Sequence, residues 1–463
     1  MENPYRPPGS PADDPQLAQE AIELSEPEQR AVLSRVTWKL VPLLFFCYII
    51  AYVDRINVGF AKSHLEPVLG VDPKVFGEVF GTGAGLFFIG YFIFEVPSNL
   101  ALHKVGARIW IARIMIVWGL VSMCFMFIQG QASFYALRFL LGAAEAGFFP
   151  GVVLYLTYWF PAKERAKTVA YFALGGVAAG LVGSPISGAL LKMHGLGNMD
   201  GWKWLFLIEA IPAVLMGFVV LLYLPNRPAE AKWLSPRERA WLTAKIAAEA
   251  GQSEARKTRL ADVFTSPFVW VLCLLYFLVN VAGYGYEFWL PSIVGDQIKP
   301  MIEHTMPQNL GLITGLINMI PYGAAGVAMI LVSRHSDRSG ERRMHVAISA
   351  FVAAAGFAGA AVFANPWLAL ASLVVALAGQ KSTLGPFWAL GTGALSGTAA
   401  AGGIAFINSV GNLGGYFGPM LVGVIKDKSG SAATAMFALG GAVLLLGLVA
   451  MALPDARRRG SPN

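Results

Sequence analysis

Twelve separate runs of mostly apolar residues, each about 20 long, divide the chain, and that is the length a helix needs to cross the hydrocarbon core of a bilayer. They fall at roughly 38–60, 78–101, 109–128, 132–157, 168–190, 203–224, 268–290, 309–332, 344–363, 367–390, 400–424 and 432–453. None shows the period-two alternation of a membrane barrel strand. Inside lipid the backbone must satisfy its own hydrogen bonds, so each run is expected to be a helix. Only 14% of the 463 residues are charged, against about a quarter in a soluble domain. The fold class expected is therefore an all-α membrane protein with twelve transmembrane helices. The lipid bilayer is its first partner.

The polar stretches set the organisation. Residues 1–35 form an acidic, Pro-containing tail without the basic and apolar regions of a cleaved signal peptide. Two six-helix bundles are expected over 36–224 and 268–453, joined by a charged loop at 225–267 and followed by a short tail at 454–463. Within the loop, "SPRERAWL" has the Ser–Pro start of a surface helix. With the N-terminus inside, 25 of the 35 Lys and Arg fall in cytoplasmic segments and 7 in exterior ones. By the positive-inside bias both termini are expected in the cytoplasm. The same bias accounts for the net charge of +7 without nucleic acid as a partner.

Metal and cofactor chemistry find no support. The three cysteines lie in apolar runs, and the six histidines sit at expected helix ends or loops with no paired motif. No P-loop is present to bind ATP. No cofactor and no metal are expected, and no nucleophile–base pairing suggests an enzyme.

The two halves repeat. At a shift of 234, Lys104, Gly106 and Arg108 of "HKVGAR" map onto Arg338, Gly340 and Arg342 of "DRSGER". At a shift of 235, Gly176, Gly180, Gly183 and Gly188 map onto Gly411, Gly415, Gly418 and Gly423. Six spans per repeat keep the orientation, so the repeats are parallel and relate by a pseudo-two-fold axis along the membrane normal. That plan belongs to transporters, with a site between the halves. Small residues also let membrane helices pack closely, and packing is taken as the main role of these eight glycines.

Ionisable groups inside spans are costly and tend to face a cavity. Those within the expected spans are Asp54, Arg55, Arg138, Glu145, Glu209, Glu287 and Lys381; Glu95 is expected near the inner end of the second span, within reach of the interface. Adjacent helical residues point about 100° apart, so Asp54 and Arg55 cannot face the same way. Arg138 and Glu145, seven apart, share one face at roughly 10 Å, too far for a direct pair. If the first and fourth spans pack together, a pairing of Asp54 with Arg138, and of Glu145 with a polar neighbour, would lower the cost. The repeat brings Lys381 and Glu287 within a residue of the symmetry mates of Glu145 and Asp54. Lys381, deep in the tenth span, offers a second cation for an anion, whereas Glu287 is expected close to the outer end, at a rim or gate. Glu209 reads as packing. Tyr52, Tyr91, Tyr284, Trp388 and Asn408 lie at similar depth as possible cavity residues.

The loop "SRHSDRSGERR" at 333–343 resembles the conserved loop of the major facilitator superfamily, with Asp337, Arg338, Gly340 and Arg342 on its motif and departures at Ser333 and Glu341. The stretches "YVDRINVGFA", "RFLLGAAEAGFFPG", "YWFPAKERAK", "FWLPSIV" and "GPFWALGTGALSGTAAAGGIAFINSVGNLGGYFGP" make it similar to the anion:cation symporter family within it. That resemblance implies two six-helix bundles around a central cavity and proton-coupled uptake of a small organic carboxylate of the sugar-acid, tartrate or phthalate type. It implies protons on Asp54 and Glu145, and substrate carboxylate on Arg55. A buried guanidinium suits a carboxylate because its planar fork makes two hydrogen bonds. The resemblance also raises Tyr91 and Asn408 as substrate contacts beside the candidates Tyr52, Lys381 and Trp388, while the buried charges and the repeat put Arg138 and Glu287 in a charge network. It implies a protein of a bacterial inner membrane, working as a monomer. An exchanger or facilitator without net proton coupling is the alternative.

Overall fold

The computed structural model describes residues 24–255, 265–302, 306–394 and 398–453. Every regular element among them is a helix. Eleven stretches are long and apolar enough to cross a membrane. Spans 1 to 6 are Glu26–Leu69, Phe76–Val105, Ala107–Phe127, Gln131–Thr157, Tyr171–Met193 and Gly201–Tyr223. Spans 7 to 10 are Pro267–Ile302, Leu310–Ser339, Arg343–Val362 and Pro366–Gly391, and span 12 is Thr434–Ala452. The remaining expected run is the broken helix Thr398–Asn412 and Gly414–Ser429, span 11.

Several helices outrun their apolar windows. Span 1 begins at Glu26, where the polar tail was expected to continue to residue 35. The cause is a capping box: the Ser25 N–H and Oγ both donate to Glu28 Oε2, each at 2.8 Å, with Pro27 in the first turn. Residues 1–23 of that tail lie outside the described residues. Span 7 runs twelve residues beyond its expected end. The loop helix predicted from "SPRERAWL" is Pro236–Ala255. Its Ser235 N–H donates to Glu238 Oε2 at 2.8 Å, and Arg35 ties Glu238 to the start of span 1 at 3.0 Å.

The repeated glycines meet equivalent partners. Gly176 of span 5 lies against Tyr52 and Tyr48 of span 1, and Gly411 of span 11 against Tyr276 of span 7. Gly180 meets Tyr322 of span 8, and Gly415 meets Phe88 of span 2. A Cβ on Gly188 would collide with the Gly311 carbonyl oxygen, and one on Gly423 with that of Gly77. These last contacts cross between halves. Spans 5 and 8 therefore touch backbone to backbone, as do spans 2 and 11.

Those contacts concentrate at the membrane end opposite the 225–267 loop. There Asp427 of span 11 accepts hydrogen bonds from the Gly77 and Glu78 N–H groups, at 3.0 and 2.7 Å, at the start of span 2. A Cβ on Gly59 of span 1 would stand 2.7 Å from the Phe288 carbonyl oxygen of span 7. The halves are thus closed at that end.

Candidate functional site

Span 1 is interrupted just below this closure, with Asn57 between helices Glu26–Ile56 and Val58–Leu69. Tyr52, Asp54 and Arg55 occupy the last turn before the break, all buried. Asp54 and Arg55 diverge as their angular spacing requires. Asp54 turns into its own half and accepts from Trp118 Nε1 at 2.9 Å and Ser122 Oγ at 3.2 Å, both on span 3. Arg55 turns to the junction of the halves. Its Nη2 is ion-paired with Glu145 Oε1, and its Nη1 donates to the Tyr284 hydroxyl of span 7 at 2.9 Å. The rings of Phe87, Tyr52 and Tyr91 surround the guanidinium at 5.0, 5.6 and 5.7 Å, a cation–π cage.

Glu145 is placed by a break of its own. The helix Gln131–Glu145 ends on it, and Gly147 takes φ +84 before the next helix starts. A side chain there would be strained by that left-handed backbone and would also run into Ser98. Glu145 Oε2 and Arg55 Nε have no hydrogen-bond partner among the described residues. Polar atoms this deeply buried are costly unless partnered.

The Asp54–Arg138 pair does not form. The 100° offset that brings Arg55 to Glu145 on span 4 carries Asp54 away towards span 3. Arg138 is fully buried. Its Nη2 donates to the Ala84 carbonyl of span 2 at 2.8 Å, between the rings of Phe87 and Phe288 at 5.3 and 5.4 Å.

A second ion pair lies in the other half. Lys381 Nζ of span 10 stands 2.6 Å from Glu287 Oε1 of span 7. The Tyr52 hydroxyl of span 1 donates to Glu287 Oε2 at 2.6 Å and lies 3.3 Å from Lys381 Nζ. Glu287 was expected near the outer end; it is 2% exposed. The reason is the length of span 7: the helix continues to Ile302, which leaves Glu287 well inside it. Lys381 sits just before the interruption of span 10 at Thr383, much as Glu145 sits at the break of span 4.

Glu95 was expected within reach of the interface; it too is 2% exposed. Span 2 continues ten residues past it. Its carboxylate accepts from Asn408 Nδ2 at 2.9 Å and Ser409 Oγ at 2.6 Å. Asn408, expected as a substrate contact, bridges spans 2 and 11. Trp388 is half-buried against Tyr276 and Phe387. Glu209 accepts from Ser187 Oγ at 2.6 Å, which fits packing.

In the loop motif Arg342 Nη1 pairs with Asp337 Oδ1 at 2.5 Å and lies 3.1 Å from Ser336 Oγ. Arg338 occupies the last turn of span 8, and Gly340 closes it at φ +65. The histidine reading missed one contact: His335 Nδ1 and His345 Nε2 lie 2.7 Å apart. No group of three or more metal-ligating side chains occurs among the described residues. The contacts least visible in sequence are Trp118, Ser122 and Phe87. Their only signal is that aromatic and small polar residues sit opposite the charged span-1 turn.

Two helical halves, closed against each other at one end and sharing buried ion pairs at their junction, define a membrane transporter. The chain belongs to the Major Facilitator Superfamily, whose model matches residues 44–419. A protein of Agrobacterium vitis described as "Putative tartrate transporter" is 46% identical over 423 residues, 91% of each chain. A "Quinolone resistance transporter" of Acinetobacter baumannii is 40% identical, over 91% of this chain and 94% of its own. Among solved structures, the xylose transporter XylE of E. coli in a partially occluded inward-open conformation superposes with a TM-score of 0.72. It covers 93% of this chain and all of that one at 15% identity, a likeness of fold.

Proposed function

We propose that this protein takes up a small organic anion together with protons, by alternating access, across a bacterial inner membrane with both termini in the cytoplasm. The observation that carries the reading is the Arg55 site. A buried guanidinium is paired with a carboxylate that keeps one oxygen free, at the junction of two halves that touch backbone to backbone at the end opposite the 225–267 loop. An incoming carboxylate takes the place of Glu145 on the Arg55 fork. Glu145 then needs a proton, because a buried carboxylate without a counter-ion is costly. Asp54, enclosed by Trp118 and Ser122, is the second proton site. The resemblance to the relative described as a tartrate transporter supports a hydroxy-dicarboxylate, with Tyr91 and Tyr284 as hydrogen-bonding neighbours.

The test is uptake of tartrate into proteoliposomes with and without an inward proton gradient. Glu145→Gln and Asp54→Asn should abolish the gradient-driven component, and counterflow exchange should survive in at least one of them. Normal accumulation by both variants would refute proton coupling at these groups. Equal uptake by the unmodified protein with and without the gradient would favour an exchanger or facilitator. The relative described as a quinolone resistance transporter supports one further reading, a larger aromatic carboxylate as substrate; competition of a quinolone against tartrate distinguishes the two.

A further inference from the structure

The two ion pairs have opposite polarity across the pseudo-two-fold axis. In the first half the cation, Arg55, is on span 1 and the acid, Glu145, on span 4. In the second half the acid, Glu287, is on span 7, the counterpart of span 1. The cation, Lys381, is on span 10, the counterpart of span 4. Each pair receives a tyrosine hydroxyl from the opposite half, Tyr284 at Arg55 and Tyr52 at Glu287. All four charged groups are nine-tenths buried or more.

Each pair is neutral as a unit. An anion bound at Lys381 would leave one buried negative charge too many, and breaking a buried pair in that way is strongly unfavourable. Among the described residues the groups facing Glu287 are Lys381 of span 10, Tyr52 of span 1, Tyr322 of span 8 and Tyr286 of its own span, and Lys381 is the one cation of that set. Only a proton on Glu287 restores neutrality.

We propose that Glu287, Lys381 and Tyr52 form a second carboxylate-exchange site, at which the far carboxylate of a dicarboxylate displaces Glu287 from Lys381 as Glu287 takes up one proton from the loading side. No covalent bond changes. The Lys381 ammonium keeps its charge, the substrate supplies the negative charge and the protonated Glu287 supplies none. The proposal rests on the proton-coupled anion reading above and extends it to a count. The two pairs take up one proton for each substrate carboxylate, in addition to any proton carried by Asp54.

The count can be read by titration calorimetry of the full-length protein in two buffers of different ionisation enthalpy, with tartrate and its monoamide as probes. The unmodified protein should take up one proton more with tartrate than with the monoamide. Glu287→Gln should take up one proton fewer per tartrate than the unmodified protein. If that variant does not fold, Glu287→Gln combined with Lys381→Met removes the pair together, a change that buried pairs tolerate better than loss of one partner. It should likewise take up one proton fewer with tartrate. Equal proton counts for unmodified and variant proteins would overturn this inference alone. Tartrate binding to the unmodified protein with no proton uptake would overturn the parent reading and this one with it, and no tartrate binding would overturn the hydroxy-dicarboxylate reading on which this inference rests.

Discussion

Closure of the end opposite the 225–267 loop depends on a contact that can be removed without touching either ion pair. Asp427 lays its two carboxylate oxygens on the Gly77 and Glu78 N–H groups, at 3.0 and 2.7 Å. Those are unpaired donors at the N-terminus of span 2, where the helix dipole also favours an anion. Donor and acceptor belong to different halves, so both bonds are lost when this end opens. A hydrogen bond to a charged group contributes about 1.5–3 kcal/mol, and partial exposure to solvent places these two at the low end. Asp427→Ala should therefore weaken closure by about 3 kcal/mol, roughly a 150-fold change in the closed-to-open ratio. Asp427→Asn keeps one acceptor but loses the charge, and should cost about half as much, roughly tenfold. Spin labels at the exposed positions Lys74 and Ser429 report the opening as a longer distance population in double electron–electron resonance. A distance distribution for Asp427→Ala identical to that of the unmodified protein would refute the argument.

Two glycines separate folding from closure. Gly142→Ala collides with the Phe87 carbonyl within one half and should destabilise the fold by the cost of overpacking, about 1–3 kcal/mol, read as a lower unfolding temperature. Gly188→Ala collides with the Gly311 carbonyl across the halves and should shift the closed-to-open ratio instead; equal thermal losses for the two variants would contradict this division. Arg55→Lys keeps the charge but cannot serve Glu145 and Tyr284 with one planar fork. Its tartrate affinity by calorimetry should fall by about 1.5–3 kcal/mol, roughly 10–150-fold, and an unchanged dissociation constant in a folded variant would remove Arg55 from carboxylate binding.

Local chemistry along the chain was enough to define the number of membrane crossings, their helical form, the repeat and the glycine register. A bilayer imposes one length and one backbone solution on each apolar run. Gly188 and Gly423 could be matched before their partners were known because an internal repeat preserves spacing. The angular divergence of Asp54 and Arg55 was equally legible, since helix geometry alone requires it. Depth was not. Glu95 and Glu287 looked peripheral because hydropathy falls where polar residues begin, yet spans 2 and 7 continue as helix to Val105 and Ile302. Partners were not legible either. Whether Asp54 meets Arg138 or Trp118 depends on how spans 1, 3 and 4 rotate against one another. So does the meeting of Tyr52 with Glu287 across the halves, 235 positions apart in the chain. A helical period tells which residues share a face; only the packing of one helix against another decides what that face touches.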